Sequence, residues 1–333
     1  MKKFYRLVLG RALWISWRYK WLWPLGLAAI FVSAGSVYDF LLRMLDNFVS
    51  GRTPFYSLGE YWSTNLFSWL GLFEGVKVAF VGGLNLSAVF WAVVSIICLL
   101  VILVLAIVCH VALIKSAMAL DRGKKITPNQ AIHGGTKLFW PALKFNILSK
   151  VVLFALIVAF SWLVSLVVLD NSLLMLAIYA AAFVVLVIAT IIVHFITVYG
   201  IASLVLKKTN VIHAVRNAFR LFWKNVVLNL EMGLILFFVN VAVGFAGMIA
   251  LIVVESPLIM GYMLSSLMSW NLLALLFSFL MLIVFTIGVL VVVGWLSTFH
   301  ISSWTILFDE LEANRGTAKV SRLAKHLMLR LKK

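Results

Sequence analysis

Charge is scarce in this sequence. Only 12% of its 333 residues are charged, against 64% that are hydrophobic, whereas soluble globular domains are nearer ~45–50% apolar. That excludes an ordinary soluble domain and points to an integral membrane protein. Cysteine is nearly absent too. Cys98 and Cys109 stand eleven residues apart, about 16 Å along a helix, too far for a disulfide, whose Cα atoms lie roughly 4.4–6.8 Å apart. With no Cys-x-x-Cys and no His-x-x-x-His spacing, a metal site has nothing to build on, and no metal or other cofactor is expected. Phosphate-cradling P-loops, nucleophile elbows, His-Glu-x-x-His and strand-borne Gly-x-Gly-x-x-Gly motifs are all missing, so no enzyme activity is expected.

What is present is a series of uncharged runs. A hydrocarbon layer of about 30 Å needs about 20 helical residues, and runs long enough lie near 22–42, 88–114, 145–169, 173–206, 226–254 and 272–298. The expected fold is therefore all-α and polytopic, with six transmembrane helices in one domain over 1–312 and a basic amphipathic tail over 313–333. The net charge of +17 could suggest nucleic acid, but its placement argues for topology. Of the 28 lysines and arginines, 25 flank the spans on one side, and only Arg43, Arg52 and Lys77 lie on the other, among Asp39, Asp46, Glu60, Glu74, Asp170 and Glu255. By the positive-inside rule both termini are cytoplasmic, in an inner membrane of bacterial type, and no nucleic-acid partner is expected. A cleavable signal peptide, with Val32-Ser33-Ala34 before Gly35, is the competing reading of the N-terminus. The basic lead containing Trp14 and Trp17 is too long and too aromatic for it.

In that lead, Phe4, Leu7, Val8, Ala12, Ile15 and Trp17 fall on one helical stripe that also takes in Arg11, with Lys3, Arg6 and Arg18 off it. Such a helix suits a lipid interface. Thr127-Pro128 marks the start of a second cytoplasmic lead-in, and 211–224 forms a third. The 39–87 segment, rich in glycine and aromatics, reads as interfacial helices on the outer side. Asp170-Asn171-Ser172 reads as a tight outer turn, and Glu255-Ser256-Pro257 to Trp270 as a second outer loop.

One short pattern recurs at the threshold of three spans: Lys20-Trp21-Leu22-Trp23-Pro24, Lys137-Leu138-Phe139-Trp140-Pro141 and Arg220-Leu221-Phe222-Trp223-Lys224. Aligned without gaps, the second and third copies pair Ala131 with Ala214, Trp140 with Trp223 and Asn146 with Asn229. Two-span units repeated three times, all entering from one face, account for this. Lys20, Trp23, Lys137, Trp140, Arg220 and Trp223 are the expected interface anchors, because a base seeks phosphate while tryptophan prefers the carbonyl zone. A basic six-span chain with these thresholds, ending in Trp304-Thr305-Ile306-Leu307-Phe308-Asp309-Glu310-Leu311, resembles bacterial families related to the membrane domain of glycerophosphoryl diester phosphodiesterases. Fused members of those families carry a soluble catalytic domain after the membrane part. Here only 21 residues follow Glu312, with none of the paired carboxylates and histidines that chemistry needs, so the resemblance implies the membrane part alone.

Ionisable groups inside spans are costly and are candidates for function. Glu231 and Lys150 lie eight and ten residues past Trp223 and Trp140, about 12–15 Å inward along an untilted helix. They are expected to form an ion pair facing the bundle interior, flanked by Asn146 and Asn229, with His194 in span four. The sequence thus points to a non-enzymatic inner-membrane protein that binds anionic lipid at its cytoplasmic face as a scaffold or accessory component. The alternative is a small transporter or channel with a polar path near Glu231, Lys150 and His194.

Overall fold

The computed structural model describes residues 4–33, 86–168 and 173–313. Among them every regular element is an α-helix. In chain order these are α1 (Phe4–Arg18), α2 (Leu22–Ser33), α3 (Leu86–Asp121), α4 (Pro128–Lys137), α5 (Phe139–Val168), α6 (Leu173–Lys207), α7 (Val211–Lys224), α8 (Val226–Leu267) and α9 (Asn271–Glu312). The expected outer segment from 39 up to 85, the turn at 170–172 and nearly all of the basic tail lie outside the described residues.

Five helices, α3, α5, α6, α8 and α9, are long and apolar enough to cross a membrane. The first expected span is described only as the twelve residues of α2; its continuation to 42 is outside. Two helix boundaries fall where the sequence supplies a chain breaker. α3 ends in Asp121-Arg122-Gly123, where Gly123 takes a left-handed φ of 73°. There the Gly123 N–H bonds the Leu120 carbonyl and the Lys124 N–H bonds the Ala119 carbonyl, closing the helix with a Schellman motif. α4 begins at Pro128, where a missing N–H costs nothing because the first turn has no partner for it.

The expected outer loop over 255–270 needs correcting. α8 continues through Pro257 to Leu267, and only Met268, Ser269 and Trp270 separate it from α9. A proline in a helix removes one hydrogen bond, but the flanking Leu258, Met260 and Met263 are good helix formers that carry the helix past it. The turn is again a Schellman motif, with Trp270 N–H to Ser265 O at 2.9 Å and Ser269 N–H to Ser266 O at 3.1 Å. Here a serine, at φ 58°, holds the left-handed position.

The chain divides into two compact units. One contains residues 1–27, 116–128 and 224–333; the other contains 28–115 and 129–223.

In the first unit, α8 and α9 form a hairpin and α1 packs on α9. Each hairpin helix has 42 residues, about 63 Å at ~1.5 Å per residue. Val8, Ala12 and Ile15 of α1 are buried, together with Phe299 and Ile306–Phe308 of α9 and Leu228, Met232 and Leu236 of α8. Beyond that core the hairpin turns its side chains outward: Phe237, Phe238, Val241, Phe245, Met248 and Ile252 on α8 and Leu275, Leu276, Phe279, Leu282 and Phe285 on α9 are all exposed. A helix that is apolar all round is at home only in an apolar solvent. α2 crosses α9 closely, with Ser297 Oγ donating to Gly26 O at 2.8 Å and Thr298 Oγ1 to Leu22 O at 3.1 Å.

In the second unit, α5 packs on α6. Small residues set the contacts. Gly135 lies against the Val108 backbone, and Gly200 lies under the Phe145 ring. Phe195 of α6 meets Phe222 of α7 at 5.4 Å between ring centroids, which fastens α7 against α6.

Candidate functional site

The three thresholds differ once folded. Lys20, Lys137 and Arg220 are all exposed. Trp140 and Trp223 are 67% and 54% exposed, so both rings face the surroundings. Trp23 instead turns back, and its Nε1 donates to Ser16 O of α1 at 2.7 Å. Around the first threshold the outward aromatic positions are Trp14 and Trp17 of α1; Arg18 lies over the Trp14 ring at 5.6 Å.

The expected intramembrane polar residues fall into two groups. In the second unit, Lys150 of α5 and His194 of α6 are close enough to interact electrostatically. One turn along, Ser149 and Thr197 share a hydrogen bond of 2.8 Å. Asn146 is half-buried, and its Nδ2 donates to Ala142 O at 2.9 Å. In the first unit, Asn229 is fully buried. The Glu231 carboxylate accepts a hydrogen bond from the Tyr5 hydroxyl of α1.

A stronger electrostatic feature lies on residues that sequence reasoning passed over. Arg11 projects from α1 toward the ends of α3 and α9. Its Nε donates to Asp121 Oδ1 at 2.6 Å and its Nη2 to Asp121 Oδ2, a bidentate pair, while Nη1 donates to Glu310 Oε1 at 2.6 Å. The Asp121 side chain is only 3% exposed. Beside it Arg122 Nη2 meets Asp309 Oδ1 at 2.7 Å. The hydrogen bond to Asp121 outweighs partial burial and, with that to Glu310, holds the Arg11 proton more firmly than in a free guanidinium. Three helices that are remote in sequence are thereby pinned at one point. Two signals were available: Arg11 sits on the apolar stripe of α1, and Asp121, Asp309 and Glu310 are three of only eleven acids in the sequence.

The second missed feature is a cavity of about 860 Å³ between the end of α6 and α7, lined by Lys207, Thr209, His213, Arg216, Arg220 and Trp223, among others. α7 buries Ala214, Ala218, Leu221 and Phe222. At about 100° per residue, His213, Arg216 and Arg220 then share one sector of roughly 60°, with Phe219 and Trp223 beside it. Lys208, in a left-handed conformation at φ 55°, turns the chain between the two helices. Asn217 fixes the arrangement: its Nδ2 donates to Ser203 Oγ of α6 at 3.2 Å, and its Oδ1 accepts from Arg220 Nη2 at 3.3 Å. A concave, partly apolar site with convergent cations suits a small anion that carries an apolar part. Comparison with family models, with curated proteins and with solved structures gave no match.

Proposed function

We propose that this is a non-enzymatic, six-span protein of a bacterial inner membrane with both termini cytoplasmic. It holds anionic lipid along its basic face and serves as a lipid-interacting scaffold or accessory component. The observation that carries the reading is the coincidence of exposed tryptophan and base at the head of long apolar helices. Trp140 and Trp223 stand outward next to Lys137 and Arg220, the arrangement a headgroup layer selects. Trp14, Trp17 and Arg18 do the same at the N-terminus. The buried state of both Ala131 and Ala214, and the exposure of both Trp140 and Trp223, support a repeated unit. Along the hairpin, apolar exposure for tens of ångströms supports contact with acyl chains.

A transporter or channel is the second reading, favoured by the proximity of Lys150 and His194. Reconstitution into liposomes with proton- and lipid-flux readouts separates the two. The scaffold reading expects no flux above that of protein-free liposomes. A flux abolished by Glu231→Gln, Lys150→Gln or His194→Gln contradicts it.

A further inference from the structure

We infer that the cavity between α6 and α7 is a site for one phosphate-bearing lipid headgroup; this rests on the membrane reading above and gives it a specific address. Lys207, His213, Arg216 and Arg220 surround the phosphate, and Phe219 and Trp223 lie against the glycerol and upper acyl region.

Four observations converge on it. First, the volume of about 860 Å³ lies within the roughly 300–1,000 Å³ typical of small-ligand sites and accommodates a headgroup with its glycerol. Second, no Asp or Glu among the described residues lines the cavity, and the sequence holds no acid between Asp170 and Glu231. Where this protein uses arginine to hold its own helices together, at Arg11 and Arg122, it supplies a carboxylate to each. The cationic cluster on α7 is built differently. Third, Thr209 Oγ1 is a buried lining atom without a hydrogen-bond partner among the described residues. A buried hydroxyl left unbonded is costly, and a phosphate oxygen would accept its proton. Fourth, Phe219 and Trp223 pack edge to face at 5.9 Å, forming an aromatic wall beside the bases. Inorganic phosphate has no use for such a wall, whereas a lipid does, so the geometry favours a lipid over a soluble anion.

In use, the guanidinium groups of Arg216 and Arg220 and the Lys207 ammonium give charge-assisted hydrogen bonds to phosphate oxygens, with Arg220 pre-oriented by Asn217. The left-handed turn at Lys208 keeps Lys207 and Thr209 at one side of the cavity. The indole of Trp223 takes the carbonyl level of the lipid.

The test uses the full-length protein in phosphatidylcholine nanodiscs with and without phosphatidylglycerol, scoring retained lipid by native mass spectrometry and affinity by titration. Arg216→Gln/Arg220→Gln is compared with Lys124→Gln/Lys125→Gln, which removes the same charge from exposed positions outside the cavity. Wild type and the control pair are expected to retain one phosphatidylglycerol per chain. The cavity pair is expected to bind it at least roughly tenfold more weakly, and Thr209→Val to weaken it by a smaller factor. Thermal unfolding in phosphatidylcholine alone shows that both pairs are folded, as the exposure of all four residues leads one to expect. Equal loss in both pairs, or no loss in either, overturns the site while leaving general lipid binding standing. Competition by inorganic phosphate as strong as by phosphatidylglycerol overturns the lipid assignment in favour of a soluble anion. If neither wild type nor any variant retains phosphatidylglycerol, both this inference and the proposed function fail.

Discussion

Arg11 of the first helix and Glu310 of the last are joined at 2.6 Å across 299 residues of sequence. The same guanidinium grips Asp121 with its other two donors. One side chain therefore ties α1 to the ends of α3 and α9, and its removal leaves a buried carboxylate without compensation. Arg11→Met is expected to lower the stability of the detergent-solubilised protein by about 3 kcal/mol. Arg11→Lys should cost less, since it keeps the charge and loses the two-pronged geometry. In a double-mutant cycle measured by denaturant or thermal unfolding, Arg11→Met with Asp121→Asn should cost less than the sum of the singles. Additive costs contradict the pairing.

The crossing of α2 and α9 is a backbone contact. A methyl at Gly26 would lie 2.6 Å from Gly294 O, and one at Gly294 would lie 2.9 Å from Trp23 O; neither obstacle can rotate away. Gly26→Ala and Gly294→Ala are each expected to cost about 1–3 kcal/mol. A methyl at Gly10 on α1 would meet nothing within 4 Å, so Gly10→Ala should be neutral or stabilise by up to ~1 kcal/mol. Melting temperatures of the three variants in one detergent check the contrast.

Two helix ends share one geometry with different residues, Gly123 after α3 and Ser269 after α8. A left-handed φ costs a residue with a Cβ about 1 kcal/mol. Gly123→Ala should therefore destabilise by about that much, and Ser269→Gly should stabilise by about the same. Opposite shifts in unfolding midpoint are the expected result.

The hydroxyl of Tyr5 donates to Glu231. Tyr5→Phe should lose about 1–2 kcal/mol, while Glu231→Gln, which retains an acceptor oxygen, should cost less. If Glu231 serves stability in this way, both variants leave liposome ion permeability at the background level.

Much of this architecture can be read from composition and spacing. The uncharged runs mark five of the long apolar helices, and Gly123 and Pro128 mark a helix end and start. Pro257 misleads, because a proline inside a strongly apolar helix is tolerated when its neighbours favour helix, so the hairpin turn sits at Ser269 rather than over the whole of 255–270. Residue counting along one helix gives depth but not neighbours. It could not foresee that α1 would bring Tyr5 to Glu231, or that α5 and α6 would bring Lys150 within electrostatic reach of His194. Arg11 was legible in principle, since a base on a buried stripe demands an acid. The cavity on α7 was not, because its shape depends on how the Lys208 turn folds α7 back on α6. That packing is carried by Phe195 and Phe222, which are distant in sequence.

The proposed topology puts the basic ends of the helices on one cytoplasmic face and the Ser269 turn on the opposite side of the membrane. Cysteine accessibility in intact cells tests it directly, with Cys98 and Cys109 replaced and single cysteines placed at Lys124, Asn210 and Ser269. Labelling by a membrane-impermeant maleimide is expected at 269 in intact cells, and at 124 and 210 only after permeabilisation. Labelling of 124 or 210 in intact cells, or protection of 269 until permeabilisation, contradicts it.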